Sequence, residues 1–270
     1  MAYYSPLRYP GGKGKMYKET LRILEENNLI GCTYIEAFAG GANLALNLLF
    51  NGKVTNIILN DADPAIYAVW HAALNHSTEF MHFIQTIHLN IQEYNNQRRI
   101  YEEERDDLLT LGLATFYLNR TNRSGILKAG PIGGVEQTGN YLMDCRFNRT
   151  DLSNRIKRIY EYRNSITIYN EDARQFFTRN FPNNSFFFID PPYYNRGAQL
   201  YRNYFTHADH QEIANIVQNL EYPWIVTYDN VEPIIEMYNF ANHNEYELSY
   251  TVEIKRKGNE VMFYSPQIFI

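Results

Sequence analysis

The chain has 270 residues, of which 45% are hydrophobic and 20% charged, with a net charge of −5: enough for one large or two small domains of a soluble globular protein, with an overall charge that argues mildly against a generic nucleic-acid binder. No apolar stretch approaches the roughly 20 residues that span a bilayer, and no charged n-region precedes an apolar core, so neither a membrane nor a secretory segment is expected. Cys32 and Cys145 are the only cysteines, which points to a reducing cytoplasm rather than a disulfide framework.

In chain order, Arg8-Tyr9-Pro10-Gly11-Gly12-Lys13 is a cation-flanked glycine turn. Residues 34–36 read as a strand entering the glycine turn Gly40-Gly41, with a helix from about Asn43. Glycines there allow a tight turn and close backbone approach to a ligand at a helix N-terminus. The pattern is not Gly-x-Gly-x-x-Gly, so the pyrophosphate cradle of a dinucleotide fingerprint is missing. A second strand, 57–59, ends in Asn60-Asp61. Asp61 follows Gly41 by 20 residues, about where nucleotide-binding βαβ units place an acid on ribose hydroxyls. Gly-Gly turns and strand-terminal Asp residues are also common without any ligand.

Strands and helices alternate to about Ala73, a polar and mostly helical stretch covers 76–160, and alternation resumes at Ile166. The middle stretch is therefore an insertion into an α/β sheet. Within it a helix over 111–118 leads into Asn119-Arg120-Thr121-Asn122-Arg123-Ser124-Gly125 and a glycine-rich loop at 130–134. Arg120, Asn122 and Arg123 are of the types that make bidentate contacts to guanine and adenine edges, and Lys128 suits a base or a phosphate. From 111 to 165 the chain carries nine Arg and Lys against four Asp and Glu, a local basic excess of the kind phosphate contacts need. For Arg155, Lys157 and Arg158 a solvated helix face explains the charges equally well. The acidic run 102–107 is expected to face solvent.

Residues 166–169 form a strand, followed by Asp172-Ala173. The apolar run Phe186-Phe187-Phe188-Ile189 reads as a fully buried parallel strand, and it delivers Asp190-Pro191-Pro192-Tyr193 to the strand end where such sheets bind ligands. The prolines fix φ and carry no N–H, so the carbonyls of Asp190 and Pro191 are not drawn into a following helix. Carboxylate, carbonyl and aromatic face together suit the exocyclic amine of a planar base. The loop 194–205 is a candidate lid. Thr206-His207-Ala208-Asp209 is a helix N-cap box that puts His207 and His210 on the helix surface, and no His or Cys pattern suggests a metal. After a buried strand at 224–229, segments 247–254 and 261–264 form an antiparallel hairpin whose turn signal is Gly258-Asn259. Its basic tip, Lys255-Arg256-Lys257, either touches phosphate or protects a sheet edge.

Pro-Gly-Gly-Lys, then Glu36-Ala37-Phe38-Ala39-Gly40-Gly41, an acid-ended strand, a long insert and Asp-Pro-Pro-Tyr, in that order over nearly the whole chain, resemble the Dam-type (D12 class, alpha group) DNA adenine-N6 methyltransferases. The resemblance implies a Rossmann-like α/β sheet with a terminal antiparallel hairpin and an inserted, mainly helical domain: catalytic parts at 1–75 and 161–270, and a target recognition domain at 76–160. It implies S-adenosylmethionine as methyl donor, held by Tyr9, Lys13, Phe38, Gly40, Asp61, Asp172, Ala173 and Asp190. It also implies catalysis by Asp190, Pro191, Pro192 and Tyr193, no metal, and double-stranded DNA as partner through Arg8, Arg120, Asn122, Arg123 and Lys128. The resemblance leaves room for a cognate restriction endonuclease as a partner, and equally for a phage-encoded or orphan enzyme without one. The chain departs from the family at Ala42, where a second glycine stands, at Tyr9, where the best-known members carry tryptophan, and at Arg123, where the Dam pattern has an aromatic. The last departure leaves the family's Gly-Ala-Thr-Cys target open. Two other readings remain beside this one: an RNA adenine-N6 methyltransferase, and a catalytically idle DNA-binding regulator, against which the intact Asp190 to Tyr193 motif speaks.

Overall fold

The computed structural model describes residues 3–8, 16–195, 205–252 and 254–270, and only the backbone over 247–259. Tyr9, Lys13, most of the candidate lid and the side chains of Lys255, Arg256 and Lys257 lie outside the described residues. The chain divides into two compact units, one made of 13–62 and 169–270, the other essentially of 2–12 and 63–168.

The first unit holds six strands of a seven-stranded sheet and the last residue of β3: β1 (Thr33–Glu36), β2 (Asn56–Asn60), β3 (Ile166–Tyr169), β4 (Ser185–Ile189), β5 (Trp224–Asp229), β6 (Asn242–Val252) and β7 (Ile254–Tyr264). The order is β3-β2-β1-β4-β5-β7-β6. β1 pairs in parallel with both β2 and β4, so that Ile35 stands between Ile58 and Phe187. β7 runs antiparallel to β5 and β6. All five residues of β4 are buried, as a strand covered on both faces must be, which is why its sequence is a continuous apolar run rather than an alternating one. Phe187 meets Phe181 edge to face at 5.0 Å in a core shared with Trp224, Val226 and Phe263. The helix Asn43–Phe50 is buried over its whole length.

The hairpin differs from the sequence expectation. Gly258 pairs with Leu248 and Asn259 with Glu247, and the ladder continues to Ile254 opposite Val252. Gly258-Asn259 is therefore strand. A turn dipeptide is only a local preference, and here continued pairing of two 11-residue strands outweighs it. The basic residues 255–257 consequently lie along β7 rather than at a Gly-Asn tip.

The second unit is helical, with helices Pro64–Asn75, Ser77–Thr86, Ile91–Glu103, Leu108–Thr121 and Arg149–Glu161. Four of them start at Asp or Asn caps, Asp63, Asn90, Asp107 and Asn148, whose side chains accept from backbone N–H groups of the first turn, satisfying donors that the helix itself leaves open. Gly112 sits against the backbone of Ala68, where an added Cβ would come within 2.4 Å of the Ala68 carbonyl oxygen. The contact lets helices 64–75 and 108–121 pack backbone to backbone, and Phe80 against Phe116 at 4.9 Å continues that core. Among the described residues no helix is long and apolar enough to cross a membrane, and no group of three or more His, Cys, Asp or Glu is placed to hold a metal ion.

Candidate active site

The carboxyl ends of β1, β2 and β4 bring together the acids of the first unit. After β1 the chain turns through Gly40 (φ 47°) and Ala42 (φ 44°). Both take the left-handed conformation, which costs a non-glycine residue roughly 1–2 kcal/mol, so the alanine in place of the family's second glycine keeps the turn at the expense of some strain. The Gly40 N–H donates to Asp61 Oδ2 at 2.8 Å. Asn60, 1% exposed, ties this corner together: its amide donates to the carbonyls of Ala37 and Glu171, and its oxygen accepts from the Glu171 N–H. Asp61 itself receives the Asn170 amide on its backbone carbonyl at 2.8 Å. Asp172 caps the short helix Ala173–Phe176 and is bound through both oxygens by Arg174; that pairing holds its carboxyl below the usual range. The Phe38 ring packs edge-on against Phe205 at 5.9 Å.

Glu36, which the sequence analysis left without a role, is 6% exposed at the end of β1. It accepts from the Tyr34 hydroxyl at 3.2 Å. Burial chiefly, with the charge of Asp190 adding, pushes its carboxyl up to about 8, so it carries its proton at neutral pH.

The Asp190 to Tyr193 segment is held by the next two strands. Asp190 Oδ1 accepts from Thr227 Oγ1 at 2.8 Å. Asp229, two residues on and on the same face of β5, accepts the backbone N–H groups of Tyr194 and Asn195 at 2.9 and 3.1 Å. Glu260 of β7, opposite Asp229 in the ladder, accepts from the Tyr193 hydroxyl at 2.6 Å. Sequence reasoning missed these three supports. The available signal was a polar residue inside an apolar strand, and Thr227 and Glu260 are indeed 0% and 2% exposed. Pro191 and Tyr193 are buried and Pro192 is partly so. Behind the sheet, Thr206 and Asp209 form the expected capping box and His207 is exposed. His210 is not on the surface: it is 1% exposed, bonded to the Tyr228 hydroxyl at 2.9 Å, and burial lowers its pKa to about 4.

In the second unit two expected base readers are turned inward. Arg120 is 7% exposed and donates through Nε, at 2.9 Å, and through a terminal nitrogen to the Arg146 carbonyl. Burial, with the charges of Arg155 and Arg8, pulls its pKa down to about 10. Asn122 is fully buried, its amide on the carbonyls of Ile126 and Leu127 and its oxygen receiving the Tyr94 hydroxyl. Both close the loop that follows their helix, because a buried turn must have its carbonyls satisfied from within. Arg8 is likewise partly engaged, its guanidinium on the Asn122 carbonyl at 3.0 Å. Arg149 and Arg155 also donate to backbone carbonyls. Arg123 and Lys128 remain exposed.

A parallel sheet with an antiparallel end, a glycine turn tied to an acid-ended second strand and an Asp-Pro-Pro-Tyr strand end together define a methyltransferase that takes S-adenosylmethionine as methyl donor. The donor set fits that molecule: Asp61, a carboxyl acceptor at the end of β2 beside the Gly40 turn, suits its ribose hydroxyls. The family model of the D12 class N6 adenine-specific DNA methyltransferases matches residues 9–254, and the chain belongs to this family. No curated protein matches the chain. Solved structures that resemble it include a candidate RNA methyltransferase of Pyrococcus horikoshii (8% identity, 96% of this chain and 86% of the other, TM-score 0.45). Another is precorrin 8W decarboxylase of Methanobacterium thermoautotrophicum (11%, 93% and 89%, 0.37).

Proposed function

We propose that the protein methylates N6 of adenine in double-stranded DNA, with the target base turned out of the helix. The observation that carries this reading is Asp190, fixed by Thr227 at the end of β4 in the same unit as the Gly40–Asp61 pair. Such a strand end cannot reach an amine inside a stacked duplex, so extrusion of the base is part of the reading. The N6 lone pair is delocalised into the purine ring. Asp190 and the Pro191 carbonyl accept the amine's two hydrogens, localise the lone pair and stabilise the positive charge that develops on nitrogen. Tyr193 holds the base by stacking and Pro192 fixes the backbone between them. Asp61, Gly40, Phe38, Asp172 and Ala173, with Tyr9 and Lys13, hold S-adenosylmethionine. That molecule, when bound, supplies an electrophilic methyl on its sulfonium. Residues 76–160 read the target, with Arg123 and Lys128 as its exposed cations.

Purified protein is expected to transfer tritiated methyl from S-adenosylmethionine to duplex DNA. Label on RNA alone would replace DNA with RNA as the substrate, and label on neither would leave the idle-regulator reading. Arg123 and Arg120 should behave differently. Arg123→Ala is expected to leave stability within about 0.5 kcal/mol and to relax discrimination at one base pair by about 1–3 kcal/mol. Arg120→Ala relieves repulsion from Arg8 and Arg155 but strands the Arg146 carbonyl and leaves a void, for a net loss of about 1–3 kcal/mol of stability. Methylation profiles over a random-sequence library, paired with urea melts, check both. A changed target preference in Arg120→Ala at full stability would restore Arg120 as a reader.

A further inference from the structure

Glu260 stands out among the acids of the first unit because it lies in the last strand, well away in sequence from the catalytic motif, yet meets that motif directly. It is 2% exposed. One carboxylate oxygen accepts from the Tyr193 hydroxyl at 2.6 Å and the other from the Tyr246 hydroxyl at 2.6 Å. These are the lengths of charge-assisted O–H···O⁻ bonds, and donors of this kind are what a buried carboxylate requires. Tyr246 remains the donor in its bond, since burial and then the charge of Glu260 hold its hydroxyl well above the usual phenol range.

We infer that Glu260 is a positioning residue of the methyl-acceptor platform: it anchors the Tyr193 hydroxyl and so fixes where the ring on which the base stacks is held. The inference rests on the proposed function and adds a residue to that site. Pro192 restrains the backbone before Tyr193, but the ring can still turn about its side-chain torsions. A bond at the far end of the phenol holds the ring's long axis in place before the base arrives and, because a phenol O–H lies close to its ring plane, favours one plane about that axis; pre-set geometry is what an oriented transfer needs. There is an electronic consequence as well. A phenol donating to a carboxylate carries more electron density, and a more negative ring face stabilises the positive charge that grows on the stacked base. Glu260 reaches this position because β7 returns antiparallel beside β5, placing it opposite Asp229, whose carboxylate already holds the N–H groups of Tyr194 and Asn195.

The test is a double-mutant cycle on methyl transfer by the full-length enzyme, on whichever nucleic acid the wild type labels. Tyr193→Phe and Glu260→Gln are each expected to lower kcat about tenfold, the scale of one lost bond to a charged group, with KM for S-adenosylmethionine unchanged. The double variant should be no slower than the slower single, because both changes break one bond. Tyr246→Phe, which removes the other phenol from the same carboxylate, should lower kcat less than Tyr193→Phe. Effects that multiply in the cycle, or a Tyr246→Phe loss equal to that of Tyr193→Phe, would reduce Glu260 to a capped buried acid and overturn the inference. Should Glu260→Gln not fold, the comparison of the two Phe variants, with Glu260 intact, decides alone. A wild type that labels no nucleic acid sinks the proposed function, whereas labelled nucleic acid with multiplying effects sinks only the inference.

Discussion

Asp190→Ala is expected to cut methyl transfer by on the order of a hundredfold or more, the scale for removing a preorganised acceptor from the site of developing charge, while calorimetric binding of S-adenosylmethionine stays largely intact. The separation follows from the geometry. Asp190 is oriented by Thr227 through Oδ1, whereas the Gly40–Asp61 corner is maintained by its own bonds and those of Asn60. Thr227→Val should give a smaller loss in the same direction, since it leaves the carboxylate in place but unoriented. Asp190→Ala also removes one of the two causes that raise Glu36, so the Glu36 carboxyl should titrate below its value of about 8, though burial, the larger cause, keeps it above the ordinary range. Unchanged turnover in Asp190→Ala would remove Asp190 from the mechanism.

Gly125→Ala should be among the most destabilising single changes in the second unit, at about 2–4 kcal/mol. Gly125 has φ 75°, and an added Cβ would lie 2.4 Å from the Arg8 carbonyl oxygen and 2.8 Å from the Arg8 Cβ. The left-handed conformation accounts for roughly 1–2 kcal/mol and displacement of packed backbone for about as much again. Arg8 has little room to move, because Asn119 clamps it from both sides: it accepts the Arg8 N–H at 2.7 Å and donates to the Arg8 carbonyl at 2.8 Å, and it also donates to the Gly125 carbonyl at 2.9 Å. Gly134→Ala is the matching control, with φ 76° but nothing within 4 Å of the added carbon, so it should show the conformational part alone. Urea melts of the two variants measure the difference. Equal losses would mean that the contact with Arg8 contributes nothing.

Much of the first unit is legible in the sequence for local reasons. A strand buried on both faces announces itself as an unbroken apolar run, and Phe186 to Ile189 fall within the observed β4. Trp224–Asp229 and Ile166–Tyr169 fall where their apolar and β-branched residues end. The Thr206–Asp209 cap is a pattern of four consecutive residues, and it forms as such. The hairpin turn was misplaced because Gly258-Asn259 has the local chemistry of a turn while the pairing of two long strands is not local.

By itself, then, the sequence determined the sheet's core strands, the glycine turn before an acid-ended second strand and the carboxylate-proline-aromatic end of β4, all features written in residues adjacent along the chain. Tertiary structure alone decided which polar groups those features meet. Thr227 on Asp190, Asp229 on the turn after Tyr193 and Glu260 on Tyr193 are joined across 34 to 67 positions, and strand order, which no periodicity encodes, brings them together. It also decided that Arg120 and Asn122 face inward while Arg123 faces out, and that His210 is buried rather than exposed. The same side chain serves a base edge or a buried carbonyl equally well, and its choice depends on whether the backbone around it would otherwise be left unsatisfied away from water.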